Sequence, residues 1–424
     1  MNWKFLVLLA SLAVTFSSGE EINPQSDWPW WRGPARSNHA AAGSDPVVTF
    51  SQTENVVWKA PVSGRGHASP TIVGNRIFLA TADADAEIQS VLAFDRSTGE
   101  PLWSSNVNEG NFPEKIHRKN THASSTVACD GERVVAVFNN RDALHVVALS
   151  VTDGELLWEK RLGPYAPKRY EFGFAASPLV YGNTVIVLGD TEFGGFLTAL
   201  DRRTGKQVWS VERPKQMNYS SPILATVGGV AQVLISGCSR LSAYDPKTGK
   251  ALWVSMGASS DVTCGTVVWG DDLVFASGGF PEKLTVAVRS GTGEIVWQNK
   301  KKSYEQSMLV HDKHLYTVND NGIAFCWNAK DGEERWSERL KGPVSASPVL
   351  AGGRLYAANE AGTFFVYRAD PEKFELLAKN QLGDEAFATP TILGTRIYAR
   401  VTHLDDEGER QEMLYCLGKK SLPQ

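Results

Sequence analysis

The chain has 424 residues, 42% hydrophobic and 21% charged, and its 43 Lys and Arg against 47 Asp and Glu leave a net charge of −4. That balance excludes a basic nucleic-acid surface and a polybasic membrane anchor, and an aromatic content of 10% excludes disorder as the main state. The 38 Gly and 13 Trp point to many turns and to a recurrent aromatic packing role.

In chain order, residues 1–19 have the layout of a secretory signal: Lys4, an apolar run from Phe5 to Phe16, then small residues with Ser17 and Gly19 at the −3 and −1 positions of a cut. The apolar run is too short to span a bilayer comfortably, and no later stretch is apolar enough to do so. An exported chain, periplasmic or associated with the cell surface, with no transmembrane segment is expected. Residues 20–53 follow as an extension, and its DWPWWRGPARSN segment (27–38) is expected to pack Trp28, Trp30 and Trp31 on the body of the protein. The alternative is an exposed aromatic patch for a partner.

The body is repetitive. DRSTGEPLW ends at Trp103, SVTDGELLW at Trp158, DRRTGKQVW at Trp209, DPKTGKALW at Trp253, RSGTGEIVW at Trp297 and NAKDGEERW at Trp336. Each places Gly four residues before Trp, at Gly99, Gly154, Gly205, Gly249, Gly293 and Gly332. Between them run strand–turn–strand pairs such as HASPTIVGNRIFLA from His67 and SASPVLAGGRLYAAN from Ser345. A third strand leads into each Gly turn, so every unit reads as four antiparallel strands. No segment sustains a helical period. Repeats of this kind predict an all-β, eight-bladed propeller over residues 54–418, with 419–424 as a tail. The first Trp-type strand, around Trp58, has no strands before it, and the last unit supplies only three. The N-terminal strand is therefore expected to pair beside Leu414–Leu417 and close the ring.

The pattern A-x-D-x-x-T-G-x-x-x-W, complete at Ala93 to Trp103, Ala199 to Trp209 and Ala243 to Trp253, resembles the tryptophan-docking repeat of the PQQ-type, quinoprotein-like propellers. The resemblance implies that Trp58, Trp103, Trp158, Trp209, Trp253, Trp297 and Trp336 are structural, each stacking on the neighbouring blade. The opening WPWWRG segment is similar to that of exported planctomycete-type members. Two functional classes follow from the resemblance. Quinoprotein dehydrogenases hold PQQ and Ca²⁺ at the propeller mouth and oxidise alcohols or sugars; many carry an adjacent-cysteine disulfide, which this chain lacks, as it lacks the CxxCH of cytochrome attachment. The BamB-like branch is non-enzymatic and acts as a scaffold; this chain departs from it in having no Cys near the predicted cut for lipid attachment. The expectation is a monomeric, non-enzymatic scaffold or ligand-binding module without a cofactor, the alternatives being a PQQ/Ca-dependent dehydrogenase or a polysaccharide-binding propeller. The protein partner, small molecule or saccharide is not named by the sequence.

Ligands of propellers bind where first strands begin and where second strands turn into third strands. That reasoning selects His67, Asn120, His122, Phe174, Tyr219, Asp261, Glu305 and Phe387 as lead-in residues. At the turns it selects Arg141 and Asp142, Asp190 and Glu192, Asn319 and Asp320, and Asn359 and Glu360. His117 joins them, because it shares with Asn120 and His122 the long connection after Trp103, and long connections often carry function. No catalytic residue can be assigned: nucleophile elbow, phosphate loop and zinc-binding spacings are all missing, and no metal site is expected. The recurring S-x-P triplets read as strand starts, not nucleophiles. Of the five cysteines, Cys238 and Cys264 fall on the same face of adjacent blades, where a disulfide is open to them in an exported chain; otherwise they are separate thiols.

Overall fold

A computed structural model describes residues 21–420; the expected signal segment lies outside the described residues. These residues contain strands and turns without a helix. The strands form eight four-stranded antiparallel sheets. Blades 1 to 7 are consecutive in sequence: 71–109, 128–162, 179–213, 223–256, 268–299, 309–339 and 349–381. Blade 8 takes three strands from 391–417 and its outermost one, Val56–Val62, from the start of the body. Trp58 lies opposite Cys416 and Ala60 opposite Leu414, so the ring closes as its sequence predicts and blade 8 has the same four strands as the others.

Within each blade the two middle strands are almost wholly buried, as in IFLATA and VLAF of blade 1. They are apolar on both faces because each sheet is packed between two others. The outermost strands alternate, as in Gln207–Arg213, which shows water every second residue.

Blades are joined at two radii. At the outer radius an indole lies on the next blade's Gly turn. A Cβ on Gly99 would stand 2.5 Å from Trp58, on Gly154 2.6 Å from Trp103, on Gly205 2.6 Å from Trp158, on Gly249 2.5 Å from Trp209 and on Gly332 2.6 Å from Trp297. These glycines also have positive φ, +68° at Gly205, so contact and backbone both require the missing side chain. The indole Nε1 then donates to a backbone carbonyl beside that turn: Trp58 to Arg96 at 3.0 Å, Trp158 to Arg202 at 2.8 Å, Trp297 to Ala329 at 2.9 Å. Two joints differ. Trp253 donates instead to Gln232 Oε1 at 2.8 Å, and Gln232 reaches blade 5 through Ser290. Trp336 meets Phe374 edge-on at 5.4 Å, blade 7 having no glycine turn against it.

At the inner radius, at six of the eight joints, a hydroxyl near the start of a first strand accepts the amide of its counterpart in the preceding blade. The bonds run from Ser69 N to Thr126, Thr126 N to Ser177 and Ser177 N to Ser221. They resume from Thr266 N to Ser307, Ser307 N to Ser347 and Ser347 N to Thr389, all at 2.9–3.0 Å. Ser69, Ser177, Ser221, Ser347 and Thr389 of this belt are each followed directly by Pro, and the belt explains why the pair recurs.

Beneath the belt the extension spans the channel. Trp28 exchanges backbone bonds with Ile72 of blade 1, and Pro29 O accepts from Cys129 of blade 2. Arg36 bonds Val180 O of blade 3, Arg32 bonds Met308 O of blade 6, and Asn38 and Ala40 bracket Leu350 of blade 7. Trp28 is 3% exposed and Trp30 and Trp31 are half-buried, so the segment packs against the blades. Burial lowers the Arg32 pKa to about 9.

Replacing Trp158 by Ala should cost about 3–5 kcal/mol through the cavity it opens. Gly205→Ala should cost about 1–3 kcal/mol through overpacking against the same indole. Guanidinium titration of each variant measures both. A cost for Gly205→Ala below the scatter of surface substitutions would contradict the contact.

Candidate functional site

Above the belt the channel widens into a cup of about 360 Å³ at the propeller mouth. Its floor is the belt together with Trp31, whose Nε1 donates to Thr266 Oγ1 at 2.9 Å. The plug under the channel therefore makes the cup blind. Its wall comes from the residue two positions before each belt hydroxyl: His67, Ser124, Ala175, Tyr219, Cys264, Glu305, Ser345 and Phe387. Strand side chains alternate, so position −2 shares the inward direction of the hydroxyl.

One side of the wall is aromatic. Two long connections add Tyr170, Phe172 and Phe280 to Tyr219. The rings form a chain, Phe280 to Tyr170 at 6.1 Å, Tyr170 to Phe172 at 5.6 Å and Phe172 to Tyr219 at 5.8 Å. Tyr219 OH donates to Tyr170 O at 2.6 Å and holds that connection in place. Elsewhere on the rim His67 stacks on Phe387 with centroids 4.5 Å apart.

The polar side is built around Ser345. Its Oγ lies 2.5 Å from Glu305 Oε2 and 2.7 Å from Glu360 Oε1, and the latter also accepts from Lys119 Nζ at 2.7 Å. A hydroxyl has one hydrogen and cannot donate to both carboxylates. The arrangement is satisfied when Glu305 carries a proton and donates to Ser345, which donates to Glu360 beside the Lys119 ammonium. Burial pushes the Glu305 carboxyl up, and the charges of Glu360 and Asp320 add to this, against Ser345 and Lys119. His67 is held well below its ordinary value by burial first and then by the Arg65, Arg400 and Arg410 charges. Burial likewise raises the Tyr304 phenol and the Cys264 thiol.

Of the residues selected from sequence, His67, His117, Asn120, Tyr219, Glu305 and Phe387 line the cup. His117 meets Phe172 edge-on at 5.3 Å. Asn120 ties its own loop to Phe172 O at 2.5 Å. Glu360, also selected, joins the polar side through Ser345 and Lys119, and the others lie elsewhere. His122 packs on Phe112 at 4.3 Å, and Phe174 is buried against Tyr165. Phe174 is one residue out of register with the cup position, so its side chain faces the opposite way. Asp261 accepts from Gln216 at 2.6 Å and from Ser239, within a turn. Arg141 is exposed on a tight turn at φ +53°. Asn319 accepts the Asn321 and Ile323 amides of its own turn, and Asp190 is buried against Arg213 at 2.7 Å. The disulfide is not formed: Cys238 and Cys264 are free, Cys238 lying against Gln216 O at 3.4 Å while Cys264 lines the cup. Sequence reasoning missed Lys119, Tyr170, Phe172, Phe280, Tyr304 and Ser345. Counting back two from each Ser/Thr repeat would have found Ser345; the aromatics sit in unrepeated connections that carry no such signal.

The architecture defines an eight-bladed β-propeller with repeated Gly–Trp joints. The chain belongs to the PQQ-like repeat family whose description is outer membrane protein assembly factor BamB, matched over residues 33–172, 88–338 and 282–372. BamB of Burkholderia pseudomallei is 27% identical over 367 residues, 83% of this chain and 79% of that protein. The crystal structure of BamB from Moraxella catarrhalis superposes with a TM-score of 0.60 at 17% identity, covering 87% of this chain and 98% of that one. A europium-containing methanol dehydrogenase superposes at 0.65 with 13% identity, covering 93% and 98%. At those identities the two structures share the fold, and the fold hosts more than one function.

Glu305 gives the cup a pH signature. Its folded pKa is raised, so above the ordinary 4.5 the folded state keeps a proton that the unfolded state has released. Its contribution is fully present below pH 4.5 and is lost as pH rises through the folded value. Glu305→Gln should therefore gain stability relative to the native chain as pH rises across that window. Denaturant titrations from pH 4 to 8 measure the difference, and a flat difference would refute the protonated carboxyl.

Proposed function

We propose that the protein is an exported, non-enzymatic propeller of the BamB-like kind that works by holding a ligand or a segment of a partner in its mouth. The observation that carries this reading is the blind cup itself, walled by aromatic rings, with its two carboxylates bonded to Ser345 and one of them to Lys119. A reacting site needs an acid, base or nucleophile poised toward substrate. Here the Glu360 carboxylate is spent on Lys119 and Ser345, and burial keeps the Cys264 thiol from ionising.

The mouth is also a poor match for the quinone and calcium of the dehydrogenase class. Calcium takes six to eight oxygen ligands, carboxylates prominent among them. Among the described residues no three His, Cys, Asp or Glu side chains converge. A tricarboxylate quinone needs unpaired cations, and Lys119, the cation of the cup wall, is bonded to Glu360. Export is supported by the signal-like opening of the sequence and by relatives named as outer-membrane assembly factors.

Adding PQQ and Ca²⁺ to the purified protein should produce no bound chromophore and no dye-linked oxidation of alcohols or sugars. Material co-purifying with the native chain should be lost from a Phe172→Ala variant of unchanged melting temperature. A bound quinone with turnover would overturn the reading.

A further inference from the structure

Resting on the receptor reading above, we propose that the mouth cup binds an uncharged glycan, a pyranose ring stacking on the Tyr170–Phe172–Tyr219–Phe280 wall while its hydroxyl oxygens accept from the belt. Three independent features of the cup converge on that ligand chemistry.

The first is the belt. Thr126, Ser177, Ser221, Ser347 and Thr389 each accept a backbone amide, and none has a protein acceptor for its own hydroxyl hydrogen. All five line the floor of the cup. A ring of O–H donors with spare hydrogens asks for a ligand that presents oxygens at several points of its edge. His67 adds a ring nitrogen, Nε2, that is buried without a partner.

The second is the aromatic wall. Phe280 is 47% exposed at the rim while Tyr219 is 4% exposed at depth, so the rings run from solvent down to the belt. A pyranose has an apolar C–H face and a polar edge. Its C–H bonds suit the negative face of an aromatic ring, and its edge suits the hydroxyls below. The volume of about 360 Å³ falls within the range of small-ligand pockets and has room for one or two sugar rings.

The third is charge. Lys119, the cation among the lining residues, is consumed by Glu360 at 2.7 Å, and Arg169, outside the lining, lies over the Tyr170 ring at 5.0 Å. A cation would have to displace Lys302, which stands 4.9 Å over the Tyr304 ring, and would face the hydroxyl hydrogens of the floor. Glu305 and His67 are shifted toward their neutral forms. A neutral polyol is the ligand that leaves no charge unpaired.

The test is an array of immobilised neutral glycans, covering glucans, mannans, galactans, xylans and chitooligosaccharides, probed with the exported full chain. Calorimetry with the soluble oligosaccharide of the strongest spot follows. The expected result is retention of at least one neutral glycan, with an affinity unchanged between low and high salt, since no ion pair forms. Phe172→Ala and Phe280→Ala should each weaken it at least tenfold. Val208→Ala, exposed on the outermost strand of blade 3, should not. Two wall variants keep the test decisive if one of them fails to fold. Binding of no neutral glycan, retention unaffected by both wall variants, or retention confined to charged glycans or to tetramethylammonium would overturn the proposal. A protein partner whose capture depends on Phe172 while every glycan fails would remove the glycan and leave the receptor reading standing.

Discussion

The structure depends on how its innermost strands satisfy their backbone amides. A strand that faces the axis of a ring has a neighbour on one side only, and a buried amide without an acceptor is costly. The Ser or Thr hydroxyl of the next blade supplies the acceptor at six consecutive or near-consecutive joints, from Ser69–Thr126 to Ser347–Thr389. That one bond sets the angular position of each blade relative to the next. It also fixes the register of the first strands, and with it the residues that reach the mouth. The joints from blade 4 to blade 5 and from blade 8 to blade 1 lack it: at the first Thr266 Oγ1 accepts from Trp31, and at the second Thr391 Oγ1 donates to Pro70 O at 2.6 Å. The plug enters the belt at the first of these interruptions.

The outer joints serve the same end by packing. Indole and glycine fit only together, since a methyl group on the turn would collide with the ring. Inner hydrogen bonds and outer stacking thus hold each blade at two distances from the axis, and the wedge between them is filled by the buried middle strands. With the blades fixed at both radii, the mouth is pre-shaped, and its connections can differ in sequence without disturbing the ring.

The fold was legible because its determinants are local and repeated. A Gly four residues before a Trp is visible in any window of ten residues, and the unpaired halves at the two ends of the body imply closure. The cup was legible only where repetition reached it. His67, Tyr219 and Glu305 stand at the same offset from a repeated hydroxyl; Phe174 and Asp261 were chosen one or more positions away from that offset, and an odd shift along a strand reverses the side chain. The polar side of the cup was legible only in part. Glu305 and Glu360 stand at a strand start and in a turn that repeats between blades 6 and 7, but Lys119, 241 residues from Glu360, sits in a long connection that no other blade copies.

Closure by Val56–Val62 ties the first strand of the body to the last. As a chain emerges end-first from a ribosome or a translocon, that strand appears first and waits for Arg410–Leu417, which appears last. Until then blade 8 does not exist, and the apolar flanks of blades 1 and 7 face water. The ring is thus an all-or-nothing object in biogenesis: a truncation anywhere near the C-terminus leaves two unsealed sides rather than a slightly smaller wheel.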